Sequence, residues 1–340
     1  MKKLILFILF DVLLQAGYAQ QRPHYTQYIL NNYIVNPALS GIENYVDIKV
    51  SARDQWVGLN GAPKTSYITI QGPLGKKDSK TTATSFEIPG GNPRGEAYWE
   101  TYTASEPHHG AGVTLVNDRT GNFNHLSAIA TYAYHLGLSP TINLASGFGV
   151  GVSQVTRDLS KTDFGNGVTI DPAQTGDNKS HTKADLSAGL WLYGKTFFAG
   201  LSAQQILPQS RNFGDNTAPI AGKAIPHLFA TAGYRFLLND DINALPSLMI
   251  KYVNGTPTSP QFDVNIKLQY HDLFWAGGSY RLKDGYAAML GINVGSKFNV
   301  GYSYDFTKTA LSTASKGTHE LIIGFLIGNR YADTCPRNVW

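Results

Sequence analysis

The segment Phe262-Asp-Val-Asn-Ile-Lys-Leu-Gln-Tyr270 alternates without a fault: Phe262, Val264, Ile266, Leu268 and Tyr270 fall on one face, Asp263, Asn265, Lys267 and Gln269 on the other. Successive side chains of a strand point to opposite sides, so this strand has one wholly apolar and one wholly polar face. A tilted membrane-spanning strand needs about 9–11 residues, and an outer-membrane barrel turns its apolar face to lipid and its polar face to a wet lumen. A strand of a soluble antiparallel sheet has the same pattern with its polar face in bulk water. The rest of the chain decides between the two.

The amino terminus indicates export. Residues 1–19 carry Lys2 and Lys3, an apolar run over 4–14 interrupted by Asp11, and the small-residue end Ala16-Gly-Tyr-Ala19 before Gln20. This is the layout of a secretory signal peptide with cleavage after Ala19. The run is far short of the ~18–20 apolar residues of a spanning helix, and no later segment supplies one, so residence in a membrane is expected to be as a barrel. Loss of Lys2, Lys3 and Asp11 would lower the formal charge from +4 to +3. With no Lys/Arg cluster either, a nucleic-acid partner is not expected. Aromatic residues at 12%, 35 glycines and only 15% charged residues suit a β-rich chain. Cys335 is the single cysteine, which excludes an internal disulfide. A closed hydrogen-bonded sheet is one other source of stability in an oxidising compartment.

Period-two or glycine-punctuated segments occur near 46–53, 64–72, 109–117, 124–136, 141–156, 182–193, 196–204, 227–237, 244–254, 261–270, 274–282, 286–294, 297–305 and 318–327. Fourteen strands are therefore expected. Their connections alternate when followed back from the C-terminus. Residues 306–317, 255–260, 205–226 and 157–181 are long and 283–285 modest, while 295–296, 271–273, 238–241, 194–195 and 137–140 are short. Short periplasmic turns and longer outer loops are the habit of outer-membrane barrels, and a soluble sandwich has no reason to put every long loop at one end. Residues 73–108 break the rule on the short-turn side. They are taken as an insertion; a hairpin of Ser85 to Ile88 with Tyr98 to Tyr102 would instead raise the count to sixteen.

The best strand also predicts a register. A three-residue turn at His271, Asp272 and Leu273 sets Tyr270 opposite Phe274, Asn265 opposite Ser279 and Asp263 opposite Arg281, with every polar residue on one face. A two-residue turn would swing Arg281 toward lipid, where a charge costs about 2–4 kcal/mol at mid-depth. An Asp263–Arg281 pair inside the lumen is expected.

A set of short motifs runs through the chain. They are Tyr25-Thr-Gln-Tyr28, Val35-Asn-Pro-Ala-Leu-Ser-Gly41, Arg53-Asp-Gln-Trp-Val-Gly-Leu59, Gly61-Ala-Pro-Lys-Thr65 and Gly72-Pro-Leu74, then Val116-Asn-Asp-Arg-Thr-Gly121, Thr131-Tyr-Ala-Tyr-His135, Gly277-Gly-Ser-Tyr-Arg281, Gly301-Tyr-Ser-Tyr-Asp305 and Gly317-Thr-His-Glu320. In this order and spacing the chain resembles the PorP/SprF family of the type IX secretion system of Bacteroidetes-type bacteria. The resemblance implies an outer-membrane barrel that serves protein export and surface display, with periplasmic ring components and secreted cargo, gliding adhesins included, as partners. The chain is read as a signal peptide (1–19), an N-terminal periplasmic or plug-like segment (20–45), a barrel (46–328, with the 73–108 insertion) and a tail (329–340). The insertion is longer than the family pattern leads one to expect, and nothing resembles a cargo sorting domain.

Most motif residues have a structural reading beside a functional one. Asn36 and Pro37 most simply make a turn after a short N-terminal segment, Tyr25 to Tyr33, expected at the barrel's periplasmic mouth, with a plug inside the lumen as the alternative. Arg53, Gln55, Trp56, Gly58, Gly61 and Pro63 fit a strand end with an aromatic anchor and turn residues, and secondarily a partner-binding loop. Gly147-Phe-Gly-Val-Gly151 lacks the dinucleotide spacing and reads as glycines on one face of a strand. His108 and His109, read as a loop pair, have no third ligand at a supporting spacing, Asp171 and Asp177 lack the spacing of a helix-loop-helix calcium site, and no metal or cofactor is expected. Catalytic signatures are missing; His319 and Glu320 near Ser303 are the only approach to a hydrolase set. The reading is a non-enzymatic secretion component surrounded by outer-membrane lipid. An outer-membrane channel for small hydrophobic or polar solutes is the alternative, because it would have the same strands and a polar lumen.

Overall fold

Alternation of the kind seen at 262–270 recurs along the chain, and the fold is built from it. The computed structural model describes residues 25–76, 102–158, 180–207, 209–212, 221–253, 259–271, 273–282, 284–295, 297–308 and 313–329. The signal peptide, Asp171, Asp177, Cys335 and nearly all of the 85–102 hairpin alternative lie outside them. In chain order the strands are β1 (Val46–Asp54), β2 (Lys64–Leu74), β3 (His108–Thr120), β4 (Phe123–Ser139), β5 (Ile142–Arg157), β6 (Ser180–Gly194), β7 (Phe197–Gln204), β8 (Gln209–Asn212), β9 (Ala221–Ala224), β10 (His227–Tyr234), β11 (Phe236–Leu237), β12 (Ile242–Val253), β13 (Gln261–Tyr270), β14 (Phe274–Arg281), β15 (Gly285–Val294), β16 (Phe298–Thr307) and β17 (Thr318–Ile327).

All pairings are antiparallel, and β1 meets β17 while β10 meets β12, which closes the sheet. Closure leaves no unpaired edge, the condition for crossing lipid with strands. Of the fifteen strands in this sheet, β11 is a two-residue continuation of the path of β10, so the barrel wall has fourteen, as the sequence predicts. The segment read as one strand over 227–237 is divided at Arg235, although its backbone N–H donates to Thr196 O at 2.6 Å in the register of β7 and Phe236 resumes the register of β10 on β12. The separate β8–β9 hairpin lies in the long 205–226 connection and has no signal in the alternation. Among the described residues no helix is long and apolar enough to cross a membrane.

Connections follow the predicted parity. One rim carries 140–141, 195–196, 238–241, 271–273 and 295–297, and the opposite rim carries 158–179, 205–226, 254–260, 282–284 and 308–317. The connection 75–107 sits on the short-turn rim, somewhat narrower than the 73–108 read from sequence because β2 and β3 extend into it. Its returning limb is held against that rim. Ala104 N–H donates to Pro140 O at 2.7 Å, Ser105 N–H to Asn143 Oδ1 at 2.9 Å, and Asn143 Nδ2 to the Tyr102 hydroxyl at 3.1 Å.

The barrel is apolar outside and polar within. On β13, Val264 and Ile266 are 53% and 49% exposed, while Asp263, Asn265, Lys267 and Gln269 are all below 5%. The same inversion holds on β16, where Asn299, Ser303 and Asp305 are buried and Phe298 and Phe306 exposed. A continuous apolar surface of this kind is unsuited to water and is what an outer-membrane barrel presents to the bilayer. The fold therefore makes a sharp prediction. Ile266→Arg, at the middle of β13 on the outer face, should lower stability by about 2–4 kcal/mol in phospholipid vesicles, measured as reversible urea unfolding; a neutral effect would mean that this face does not meet hydrocarbon.

Candidate functional site

The interior of the barrel is occupied by the chain's own N-terminal segment. Residues 25–42 form three single 3-10 turns, Thr26–Ile29, Asn32–Ile34 and Pro37–Leu39, and nearly every side chain is buried. We refer to it as the strap. Of the two placements read from the sequence, this is the plug and not the periplasmic mouth. The physical reason is the composition of the inward face. Besides polar residues it presents Tyr67, Val116, Phe229, Met249, Trp275, Met289 and Ile322 as one apolar cluster with Tyr25, Tyr28, Ile29, Ile34 and Val35. A second cluster joins Tyr33, Ala38, Leu39 and Ile42 to Ala145, Trp191, Tyr193, Phe198 and Leu245. Each such side chain contributes roughly 1.5–3 kcal/mol on burial, so the strap gains far more inside the wall than at its mouth.

Asn36 and Pro37 shape the sharpest bend of the strap. The Asn36 Oδ1 accepts from Ala38 N–H at 3.0 Å, which caps the turn that Pro37 opens. Its Nδ2 donates to two wall carbonyls, Leu190 O at 3.0 Å and Leu201 O at 3.3 Å, which face each other across β6 and β7. The wall makes room with glycine. A Cβ on Gly189 would overlap Asn36 Oδ1, one on Gly147 would lie 2.6 Å from Ala38 Cα, and one on Gly110 would overlap Ser40 O. Gly147 thus serves strap packing, in line with a strand glycine and not a nucleotide loop. At the foot of the strap Gly41 takes φ +75°, a left-handed conformation open to glycine, with Gly110 Cα pressed against it.

Charged wall residues grip the other end. Arg53 donates to Thr26 Oγ1 at 2.8 Å, to Glu320 Oε2 at 2.9 Å and to Asp305 Oδ2 at 2.7 Å. Thr26 Oγ1 donates to Asp305 Oδ2 at 2.7 Å, and Glu320 Oε2 also accepts the backbone N–H groups of Thr26 at 2.8 Å and Gln27 at 3.3 Å. Beside them Arg281 Nε lies 3.2 Å from Asp263 Oδ1, the two residues standing opposite each other in the β13–β14 register with Asn265 opposite Ser279. Arg281 further contacts Asp284 at 2.9 Å and Asp305 at 3.8 Å, so Asp263 and Arg281 belong to a larger network at the long-loop rim. At the short-turn rim His108 and His135 stack with ring centroids 4.5 Å apart. Their Nε2 atoms meet the Gly41 and Ser40 carbonyls at 3.1 and 2.8 Å; a carbonyl only accepts, so both nitrogens carry a proton.

Other sequence readings separate here. Arg53 faces the lumen and Trp56 sits half-buried in the β1–β2 connection, so the two do not form one exposed patch. That connection is closed by Gln55 N–H donating to Pro63 O at 2.9 Å, and Trp56 N–H donating to Thr318 Oγ1 at 3.2 Å, with Gly58 and Gly61 at φ +101° and +73°. His108 and His109 are on β3, not in a loop, and face opposite ways; His109 pairs outside with the Tyr132 hydroxyl. His319 and Glu320 are likewise on opposite faces, His319 meeting the Tyr302 hydroxyl while Glu320 stands opposite Ser303 inside. No hydrolase set is assembled from them. Glu320, Asp305 and Thr26 were the members the sequence reading did not join to Arg53. Two of them had a signal, since Asp305 and Glu320 each end a motif at a position whose parity points inward, whereas Thr26 lies in a turn without a strand period.

The sequence profile described as "Type IX secretion system membrane protein PorP/SprF" matches residues 17–325. No functionally curated protein is detectably similar to the chain. Among solved structures, the toluene transporter TbuX of Ralstonia pickettii aligns at 10% identity and TM-score 0.45 over 89% of this chain and 93% of its own. The CymD monoaromatic hydrocarbon channel aligns at 8% and 0.47 over 93% and 96%. The toluene transporter TodX of Pseudomonas putida aligns at 8% and 0.48 over 91% and 95%.

The Arg53 cluster is directly testable. Arg53→Ala would leave Glu320 and Asp305 buried without their main partner, at an expected cost of about 3–5 kcal/mol in urea unfolding. Arg53→Lys should recover only part of this, since an ammonium cannot reach three acceptors with a planar fork. Equal stability of all three proteins would show that the cluster does not hold the strap.

Proposed function

Because the chain belongs to the PorP/SprF family of type IX secretion membrane proteins, we propose that it is a non-enzymatic outer-membrane component of that system, which supports export or surface display of cognate cargo by docking to other secretion proteins. The observation that carries this reading is the family match over residues 17–325 on a closed, strap-filled barrel. In this role the fourteen-stranded wall is a rigid anchor in lipid, and the loops and rims are the surfaces offered to periplasmic ring proteins and to cargo such as gliding adhesins. The returning limb of 75–107, packed on the short-turn rim through Ala104 and Ser105, is one such surface if that rim faces the periplasm.

Export through a cleaved signal peptide places the mature chain in the outer membrane of a Gram-negative cell in this reading. An open solute channel is less favoured, because the lumen holds Tyr28, Tyr33, Leu39 and Ile42 packed against its wall. The two readings part in a deletion strain. Loss of one or more surface-displayed proteins, restored by the plasmid-borne gene, is the expected outcome in surface-shaving mass spectrometry. Unchanged display with lost uptake of a small solute would overturn the secretion role in favour of the channel.

A further inference from the structure

The strap is bound as a ligand would be bound. Among the described residues it joins no ladder of the wall, and Glu43–Tyr45 tie it covalently to β1. It can therefore leave the lumen without breaking a hydrogen bond between strands. Its sequence from Tyr25 to Ile42 contains no charged residue and no histidine. The charged wall residues that hold it meet main-chain groups and a hydroxyl, not opposite charges on the strap.

Much of the recognition is aimed at the main chain. Glu320 accepts two strap N–H groups and Gln71 Oε1 accepts Gly41 N–H at 2.6 Å. Gln204 Nε2 donates to Ile34 O and Val35 O at 2.9 and 3.0 Å, Ser202 Oγ to Val35 O at 2.6 Å, and His135 and His108 to Ser40 O and Gly41 O. Main-chain groups are the same in every polypeptide, so contacts of this kind recognise a chain path more than a sequence. Side chains add sequence to this: the Thr26, Tyr33 and Ser40 hydroxyls, the Tyr28 hydroxyl accepting from Asn265 Nδ2, the Asn31 amide on Thr69 Oγ1, the Asn36 amide between the Leu190 and Leu201 carbonyls, the crowded Gly41 and the buried apolar residues.

We propose that the lumen is a polypeptide-binding track, occupied in cis by residues 25–42, and that an uncharged segment of another polypeptide takes the strap's place. Such a segment would carry apolar residues interrupted by hydroxyl and amide side chains, with a glycine at its short-turn end. This rests on the reading of the chain as a docking barrel, and it places one docking site inside the wall instead of on the loops. The Arg53 cluster is the releasing end, because it lies at the end of the strap away from its connection to β1.

The test uses the full chain. A protease site inserted after Asn44 is cut once the protein has folded, which frees the strap without asking a strapless barrel to fold. A fluorescent synthetic peptide with the sequence of residues 25–42 is then added, and its uptake is followed by size-exclusion chromatography and anisotropy. One peptide per barrel should enter after cleavage and none before. Exchange should be at least about tenfold faster in Arg53→Ala, as expected for loss of a charge-assisted hydrogen bond, and a scrambled peptide should not enter. A cleaved strap that stays in place for days in both wild type and Arg53→Ala, with no peptide uptake, would make the strap a permanent strut and overturn the proposal. Cargo display in the deletion strain is read separately, so a failed exchange leaves the secretion role standing and a failed display leaves the track standing.

Discussion

Charges enclosed within a closed wall are stable only where each meets a countercharge or a hydrogen-bond donor, and here that requirement is met at one point by Arg53. Its guanidinium reaches Asp305, Glu320 and Thr26 together, joining β1, β16, β17 and the strap. Remove it and two carboxylates lose their principal neighbour in a space shielded from bulk water. A planar fork with several fixed donors is suited to such a junction in a way that a lysine ammonium is not. The geometry of the outer half of the lumen follows from this junction, since Arg281, Asp263 and Asp284 extend the same network.

The strap solves a second problem, that of volume. The wall is apolar on its outer face, so the usual division into an apolar inside and a polar outside is reversed, and a core must come from somewhere else. It comes from Tyr28, Ile29, Ile34, Leu39 and Ile42 meeting Trp191, Phe229, Trp275 and Ile322 across the lumen. Wall glycines at 110 and 147 let the strap's backbone approach the sheet closely, and Gly189 leaves room for the Asn36 side chain. The two ends of the strap then differ in kind. Near Thr26 the contacts are ionic and directional; near Gly41 they are steric, with two histidine N–H groups closing on carbonyls. An interior held in this way resembles a protein–peptide interface more than a water-filled pore.

Much of the wall was legible in residue order because strand periodicity is local. The run from Phe262 to Tyr270 states its own two faces, the three-residue turn at 271–273 sets its register, and the long and short connections sort themselves by rim. The division at Arg235 is a small one, since Phe236 and Leu237 keep the register of β10 on β12. The separation of Arg53 from Trp56 was legible only in part, through the parity of β1. Adjacency along the chain brought them together on paper, while the pleat of β1 sends Arg53 into the lumen and leaves Trp56 in the turn beyond the strand's end.

By itself the sequence determined the class of fold, the number of wall strands and which face of each strand points inward, since each of these follows from period-two patterning and turn spacing over a few residues. Only the tertiary structure decided what fills the inside. Parity states that Arg53, Asp263, Arg281, Asp305 and Glu320 all face inward, and the turn at 271–273 pairs Asp263 with Arg281, but neither says that Arg53 meets Asp305 and Glu320, because that depends on the stagger of distant strands around a closed barrel. It is equally silent on Tyr25 to Ile42, whose turns are too short and irregular to have a period. Their place in the lumen follows from the shape and chemistry of the completed wall.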